Sequence, residues 1–208
     1  MQEQDYTAMI GATGWEHPAW QDNFYPEDLP EDWTFGYYSN EFPVVLITLS
    51  FLSSVEVDDI KEWLDECHEN FRFIIELDAE ITPLLLERIR LLDDKLMAVI
   101  LERMQTLPAE LSAVERFCRQ SDQDCEQLMA SGGGMVWDGK GTYCPAKHLA
   151  LMELDSGDYE DMHDLKEVIS QGQSALSEHQ MMVILFKGTP PDLDTMRAAR
   201  TICELLGL

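Results

Sequence analysis

The chain has 208 residues, of which 45% are hydrophobic and 9% aromatic, and this composition is typical of a globular protein and argues against disorder. Forty acidic and fourteen basic side chains give a formal net charge of −26, and the first basic residue is Lys61. Such a charge repels phosphate backbones and anionic lipids, so we expect neither nucleic acid nor a membrane as partner. No apolar run approaches the roughly 20 residues of a membrane helix and no signal sequence is visible, which predicts a cytoplasmic protein.

Short apolar runs alternate with amphipathic stretches along the chain. In order, the patterns predict a strand at 8–11, a strand at 44–50, a helix over 54–69, a strand at 71–77, a helix over 83–92, a strand at 96–101, a long helix from Pro108 to the glycines at 132–134, short strands at 135–137 and 149–154, a helix over 162–179, a strand at 181–186 and a last helix after Asp192. This alternation predicts a parallel sheet covered by helices, in a single domain spanning residues 1–208.

The five cysteines show no spacing typical of a metal site. They are Cys67, Cys118, Cys125, Cys144 and Cys203. In a cytoplasmic protein they would stay reduced, and three of them fall on apolar faces of predicted helices. We therefore expect them to be core residues.

The opening block Gly11-Ala-Thr-Gly14-Trp15, followed by Trp20 and Phe24-Tyr25-Pro26, resembles the start of the YecE-like family (domain of unknown function 72), which reads roughly G-T-S-G-W-x-Y-x-x-W-x-x-x-F-Y-P. The resemblance continues at Tyr37-Tyr38, Phe42-Pro43 and Phe71-Arg72-Phe73, and again near the C-terminus. It implies a TIM-type (β/α) barrel.

Chain length bears on that barrel, because a TIM barrel typically needs about 250 residues and eight strands. Only about seven strands are predicted here, with one weak candidate between residues 105 and 148. We therefore expect a reduced or incomplete barrel. An open edge would expose unpaired strand groups that a second copy could cover, so homodimerisation is a further expectation.

The polar positions of the family are largely replaced in this chain. Leu46 and Thr48 align with an acid and an asparagine of the family's second strand, Glu76 aligns with a lysine, and Glu153-Leu154-Asp155 aligns with the sequence R-L-H-G. The resemblance thus implies an acidic barrel mouth that has lost the family's polar site. This favours a non-enzymatic binding or interaction protein without a cofactor.

Two pairs of carboxylates support an alternative. Glu76 and Asp78 are two residues apart on a predicted strand, as are Glu153 and Asp155, so each pair shares a face. Four such groups at a barrel mouth could bind Mg²⁺ or Ca²⁺, or could include an acid–base pair, as in a divalent-metal-dependent hydrolase. Equally, they could be solvated or paired with neighbouring cations.

The glycine-rich opening block predicts a ligand site. The candidate ligand-binding residues are Gly11, Thr13, Gly14, Trp15, His17, Trp20 and Tyr25. Backbone amides of the glycine turn could hold a small anion and the aromatics could wall a pocket, although packing as a hydrophobic plug is the commoner role for such aromatics. We expect the acidic N-terminal region and this aromatic rim to contact a protein or a small neutral ligand. A third hypothesis is an acidic mimic of nucleic acid that occupies a DNA-binding protein.

Overall fold

The computed structural model describes residues 8–102, 107–119, 123–139, 145–177 and 180–208. The strands are β1 Ala8–Thr13, β2 Val44–Thr48, β3 Arg72–Leu77, β4 Leu96–Leu101, β5 Glu115–Cys118, β6 Gly134–Met135, β7 Leu149–Leu154 and β8 Met181–Phe186. The helices are α1 Thr34–Glu41, α2 Leu49–Ser54, α3 Val57–Glu66, α4 Pro83–Leu91, α5 Gln123–Ala130, α6 Met162–Ser174 and α7 Leu193–Leu206. Within these ranges no helix has the length and apolar character needed to span a bilayer.

All strand pairs are parallel, and they form one sheet in the order β6-β5-β4-β3-β2-β1-β8-β7. The two ends of this sheet meet at Trp137, just after β6. Its N–H donates to Leu151 O (3.0 Å), and its carbonyl accepts from Glu153 N (2.9 Å) on β7. This bridge nearly closes the sheet into a barrel, so less strand edge is open than a missing strand would leave. Homodimerisation stays a prediction.

The TIM-type barrel is confirmed, but the described residues form eight strands rather than about seven. The missed strand is β5, which the sequence pattern assigned to a long helix after Pro108. Leu111, Val114 and Phe117 are spaced three apart and imitate a helical stripe. In the structure this stretch divides into a 3-10 turn at Ala109–Leu111 and a four-residue strand too short to show its own alternation.

The short chain keeps all eight strands and has reduced connections between some of them. Only a 3-10 turn is seen between β4 and β5, and no helix between β6 and β7, among the residues the structure describes there. Every strand is needed to satisfy its neighbours' backbone hydrogen bonds in a closed ring, whereas a covering helix can be lost at a smaller cost.

Several other local predictions differ from the structure. The second strand ends at Thr48, whose hydroxyl accepts from Phe51 N and begins helix α2, so residues 49–50 are helical. The predicted helix over 54–69 begins at Val57, and α1 was not predicted. Cys118 is disulfide-bonded, so the prediction of reduced thiols is wrong for this residue, whereas Cys67 and Cys203 are free.

Two apolar layers hold the barrel together. Alternate strand residues such as Leu46, Ile74 and Leu185 fill the interior of the ring, and the intervening residues face the helices. The outer layer is rich in aromatics near α1, where Phe35 stacks on Phe73 at a ring-centroid distance of 5.8 Å. Because period-two alternation persists to the strand ends, it decides which polar side chains point into the barrel mouth.

Tyr38 joins β1 to β2 through its hydroxyl. Gly11 lies so close to β2 that an added Cβ would sit 2.0 Å from Val44 O. One residue on, Ala12 N donates to the Tyr38 hydroxyl (2.9 Å), which in turn donates to Val44 O (2.8 Å). Tyr38 is fully buried, so no water can replace it.

We predict that Tyr38→Phe lowers the free energy of unfolding by about 1–3 kcal/mol, because it leaves a buried N–H and a buried carbonyl without this partner. Urea denaturation measures the loss. The matched control is Tyr37→Phe, since Tyr37 is 38% exposed. Equal effects of the two substitutions would show that the bridging hydroxyl does not stabilise the strand pair.

Candidate functional site

Polar side chains follow the inward-facing apolar residues at the carboxyl ends of the strands. They include Thr13, Thr48, Glu76, Arg119, Glu153 and Lys187, and the exposed acids Glu102 and Asp138 occupy the same position after β4 and β6. The register places Thr48 beside Glu76 on neighbouring strands, and Thr13 beside Leu46. In this fold the carboxyl ends of the strands carry the functional residues, so this end of the barrel, the mouth, is the candidate site.

Arg119 is the centre of an ion-pair network across the mouth. Its guanidinium contacts Glu153 through two bonds, Nε to Oε2 (2.8 Å) and Nη2 to Oε1 (2.7 Å), and its Nη1 contacts Glu76. Lys187 Nζ lies 3.5 Å from Glu153 Oε2. The side chain of Glu153 is only 4% exposed, so its charge depends on these cations rather than on water.

The network fixes the charge of Arg119. Burial alone would lower its pKa, but the hydrogen bonds and negative charges of Glu153 and Glu76 outweigh burial and raise the pKa. Within this network two cations balance two carboxylates. The mouth is therefore not the bare acidic surface expected from Glu76 and Glu153 alone, since Arg119 and Lys187 supply the missing positive charge.

The four carboxylates proposed as metal ligands do not gather into one group. Glu76 and Glu153 share Arg119. Asp78 instead accepts from Ser50 N (3.1 Å) and Ser50 Oγ (2.6 Å). Asp155 bonds within its own exposed loop, to Ser156 N (2.6 Å). Among the described residues, no group of three or more His, Cys, Asp or Glu side chains has an arrangement that could hold a metal ion.

A cavity of about 200 Å³ lies beside the network, at the ends of β1 and β2. Its wall consists of Thr13, Gly14, Trp15, Glu16, His17, Leu46, Ile47, Thr48 and Phe51. Four of the predicted ligand-binding residues therefore meet at one cavity. The sequence did not predict the contribution of β2, because Leu46 and Thr48 read there only as replacements of family polar residues.

The ionisable groups of the cavity wall are shifted toward their neutral forms. Burial lowers the pKa of His17, whose Nε2 donates to Thr13 O (2.9 Å). Desolvation and then the charges of Glu31 and Asp59 raise the pKa of Glu16. The histidine is thus uncharged near neutral pH, which leaves the wall without a cation for an anionic ligand.

The two glycines of the predicted anion loop have structural roles. Gly11 permits the close contact of β1 with β2 described above. Gly14 has φ +71°, a conformation that favours glycine, and its N–H donates to Leu46 O (2.9 Å). That amide is already paired, so it is not available to bind an anion.

The three predicted aromatic residues are buried in the layer between strands and helices. Trp15 packs edge-on against Phe35 and Trp63, each at a centroid distance of 4.9 Å, and lines the cavity with a small part of its surface. Trp20 donates to Pro191 O (3.1 Å), and Tyr25 donates to Trp15 O (2.7 Å). Neither Trp20 nor Tyr25 lines the cavity, so packing is their observed role.

Comparison with known proteins agrees with this architecture. The family model described as "Protein of unknown function DUF72" matches residues 9–125, more than half of the chain. The chain belongs to the DUF72 family. This confirms the resemblance to YecE-like proteins seen in the opening block. Among curated proteins, no significant sequence match was found.

Solved DUF72 structures share the fold. A DUF72 family protein from Thermotoga maritima has a TM-score of 0.62 at 12% identity, with 97% of this chain and 99% of that chain covered. One from Enterococcus faecalis has a TM-score of 0.66 at 12% identity, covering 97% and 96%. At this identity the likeness establishes the fold alone, so the site of this DUF72 member must be argued from its own residues.

Sequence reasoning missed Arg119, the central residue of the mouth. Its position was hidden by the incorrect helix prediction, because on a helix Arg119 would have no fixed relation to Glu76 or Glu153. The available signal was the two-residue step from Phe117, an interior residue, to Arg119. Once β5 is known as a strand, that step places the guanidinium inside the barrel mouth.

We predict that acidification from pH 7 through 5.5 destabilises this DUF72 protein more than its His17→Gln variant. Because the pKa of His17 is lowered in the folded state, the unfolded chain takes up a proton at a higher pH than the folded chain does. The stability that neutral His17 contributes is therefore complete above the unfolded-state pKa and is lost as pH falls toward the folded-state pKa. Urea midpoints across this pH range measure it. His148→Gln, at an exposed position, is the control. Parallel pH curves for wild type and His17→Gln would contradict the prediction.

Proposed function

We propose that this DUF72 member is a non-enzymatic binding protein, acting without a cofactor and derived from a barrel whose polar site has been replaced. The observation that carries the proposal is the pairing of Glu76 and Glu153 with Arg119. These are the only two of the four candidate carboxylates joined by a shared contact at the mouth. In this proposal the ion pairs of Glu76 and Glu153 with Arg119 stabilise the barrel mouth and take no part in a reaction.

A general base or a metal ligand needs a carboxylate oxygen free to reach its target. Both oxygens of Glu153 accept from Arg119, and one of them also faces Lys187. Freeing Glu153 would leave a nearly buried charge without its partners, which is costly. This argument favours binding over metal-dependent hydrolysis, the alternative function.

The surface best suited to a protein partner is an acidic face beside the cavity, made up of Glu16, Glu31, Asp32, Asp59, Glu62 and Glu66. Desolvation, the charge of Glu62 and that of Asp32 raise the pKa of Glu66, much as Glu31 and Asp59 affect Glu16. Within the same region, Trp33 is 58% exposed. An exposed tryptophan among like charges is typical of a contact surface, and its charge favours a basic protein.

We predict that Arg119→Met lowers the free energy of unfolding by about 3 kcal/mol, because it leaves the charges of Glu153 and Glu76 without this partner at poorly hydrated positions. Arg90→Met is the matched control, since Arg90 and Glu110 form a pair in which both side chains are at least 40% exposed, and its loss should cost under about 1 kcal/mol. Urea denaturation at pH 7 measures both.

Urea denaturation of Arg119→Met, together with calorimetric titration of Mn²⁺, separates a structural network from a catalytic one. Catalytic residues are often held at the expense of stability, so replacing them commonly stabilises a protein. A higher urea midpoint for Arg119→Met, or saturable heat of Mn²⁺ binding that Glu76→Gln abolishes, would therefore contradict the non-enzymatic proposal and favour the metal-dependent enzyme.

For the acidic face, we predict that the double variant Glu31→Gln/Glu62→Gln weakens binding of a lysine-rich peptide more than Glu126→Gln/Glu160→Gln. Both pairs raise the net charge by the same amount, but only the first removes charge from the acidic face. Fluorescence anisotropy at two salt concentrations measures affinity. Equal losses from both double variants would mean that the peptide senses only overall charge and that the face is not a specific site.

A further inference from the structure

We infer that the cavity at the ends of β1 and β2 binds a small uncharged molecule whose hydroxyl or carbonyl group pairs with the Thr13 hydroxyl. The inference rests on the proposed binding function and adds to it the site and the chemical class of the ligand. The residues that carry it are Thr13, Thr48, His17 and the apolar side chains between them.

The first observation is an unpartnered polar atom. Thr13 Oγ1 is buried and makes no hydrogen bond, although its residue lies in the cavity wall. Buried hydroxyls in proteins are nearly always paired, because an unmade hydrogen bond costs free energy. A hydroxyl both donates and accepts, so it could pair with a ligand hydroxyl or carbonyl. Because Oγ1 has almost no accessible surface in this conformation, that pairing requires the Thr13 side chain to turn its hydroxyl toward the cavity.

The second observation is the neutrality of the buried wall. Thr48 Oγ1 accepts from Phe51 N, which leaves its proton to donate, and His17 is held uncharged. Glu16 is the only wall residue with a carboxylate, and it is exposed to solvent. A charged group placed deeper would lose its hydration without gaining a counter-ion, so an uncharged ligand is favoured over an anion or a cation.

The third observation is size and surface character. At about 200 Å³, the cavity is smaller than the roughly 300–1,000 Å³ of sites for drug-sized ligands. Leu46, Ile47 and Phe51 supply apolar wall, and the two threonine hydroxyls lie on adjacent strands. This combination fits a small molecule with an apolar body and one polar end.

Three probes of matched shape test the charge class: benzyl alcohol, benzylamine and benzoate, titrated by ligand-observed NMR and calorimetry into the full chain. We expect saturable binding of benzyl alcohol and at least tenfold weaker binding of benzoate and benzylammonium. Tighter binding of either charged probe, or no saturable binding of benzyl alcohol, would overturn the inference.

The variant Thr13→Val tests the role of the hydroxyl, because valine keeps the shape and removes the polar atom. We expect the dissociation constant for benzyl alcohol to rise about fivefold to tenfold, as for loss of one neutral hydrogen bond. We also expect the urea midpoint to stay the same or increase, since an unpaired buried group is removed. A hydroxyl with a purely structural role would give the opposite change in stability.

Thr201→Val, at an exposed position on α7, is the control and should change neither quantity. Unchanged affinity in Thr13→Val, or a lower urea midpoint, would overturn the inference. Failure here is distinguishable from failure of the proposed function, because that depends on the stability of Arg119→Met and on Mn²⁺ binding, which do not involve the cavity.

Discussion

The charge balance at Arg119 is the constraint on which the barrel mouth depends. One guanidinium following β5 holds carboxylates from β3 and β7, so it links strands that are not adjacent in the ring. A bidentate contact has a fixed geometry as well as a favourable energy. The mouth is thereby held together by side chains at the same end where, within the described part of the chain, Trp137 bridges the two ends of the sheet.

Ring closure explains why a short chain keeps this fold. A parallel sheet of eight strands with two free edges would expose unpaired N–H and carbonyl groups on β6 and β7. Two hydrogen bonds at Trp137 connect these edges, even though β6 itself has only two residues. Helices outside the barrel bury apolar surface of the strands. One part of the barrel can have fewer covering helices while the rest of the outer layer stays intact. The dense aromatic packing around Trp15 and Phe35 lies in the sector where the helices are present.

The sequence predicted the elements with strong local signals. The buried runs of β2, β4 and β8 and the amphipathic pattern of α7 needed no tertiary information, and the opening glycine block identified the family. It failed where tertiary context overrides local pattern. In β5, four residues with helical-looking neighbours become a strand because the ring requires one, and Arg119 could not be placed without that strand. The sequence placed the carboxylates Glu76 and Glu153 at the mouth but did not predict their partner. Arg119 lies 34 positions from Glu153 and 43 from Glu76, and ion pairs over such separations produce no periodic pattern in the sequence.

The cavity and the acidic face are neighbours, and Glu16 belongs to both. The face is negatively charged, whereas the buried part of the cavity wall is uncharged. Outside, crowded carboxylates set up a negative potential that attracts cationic partners over a distance of about one Debye length. At the cavity entrance, desolvation and then the same charges raise the pKa of Glu16 and offer nothing to an anion. Burial lowers the pKa of His17 in the cavity wall, because its charged form is poorly hydrated there. If the two surfaces bind as proposed, the outer face would select its partner by charge, whereas the cavity would select its ligand by shape and by pairing with a single hydroxyl. Because a ligand in the cavity would lie against Glu16, a basic partner that pairs with Glu16 would change the electrostatic environment of the cavity entrance, which physically connects the two surfaces.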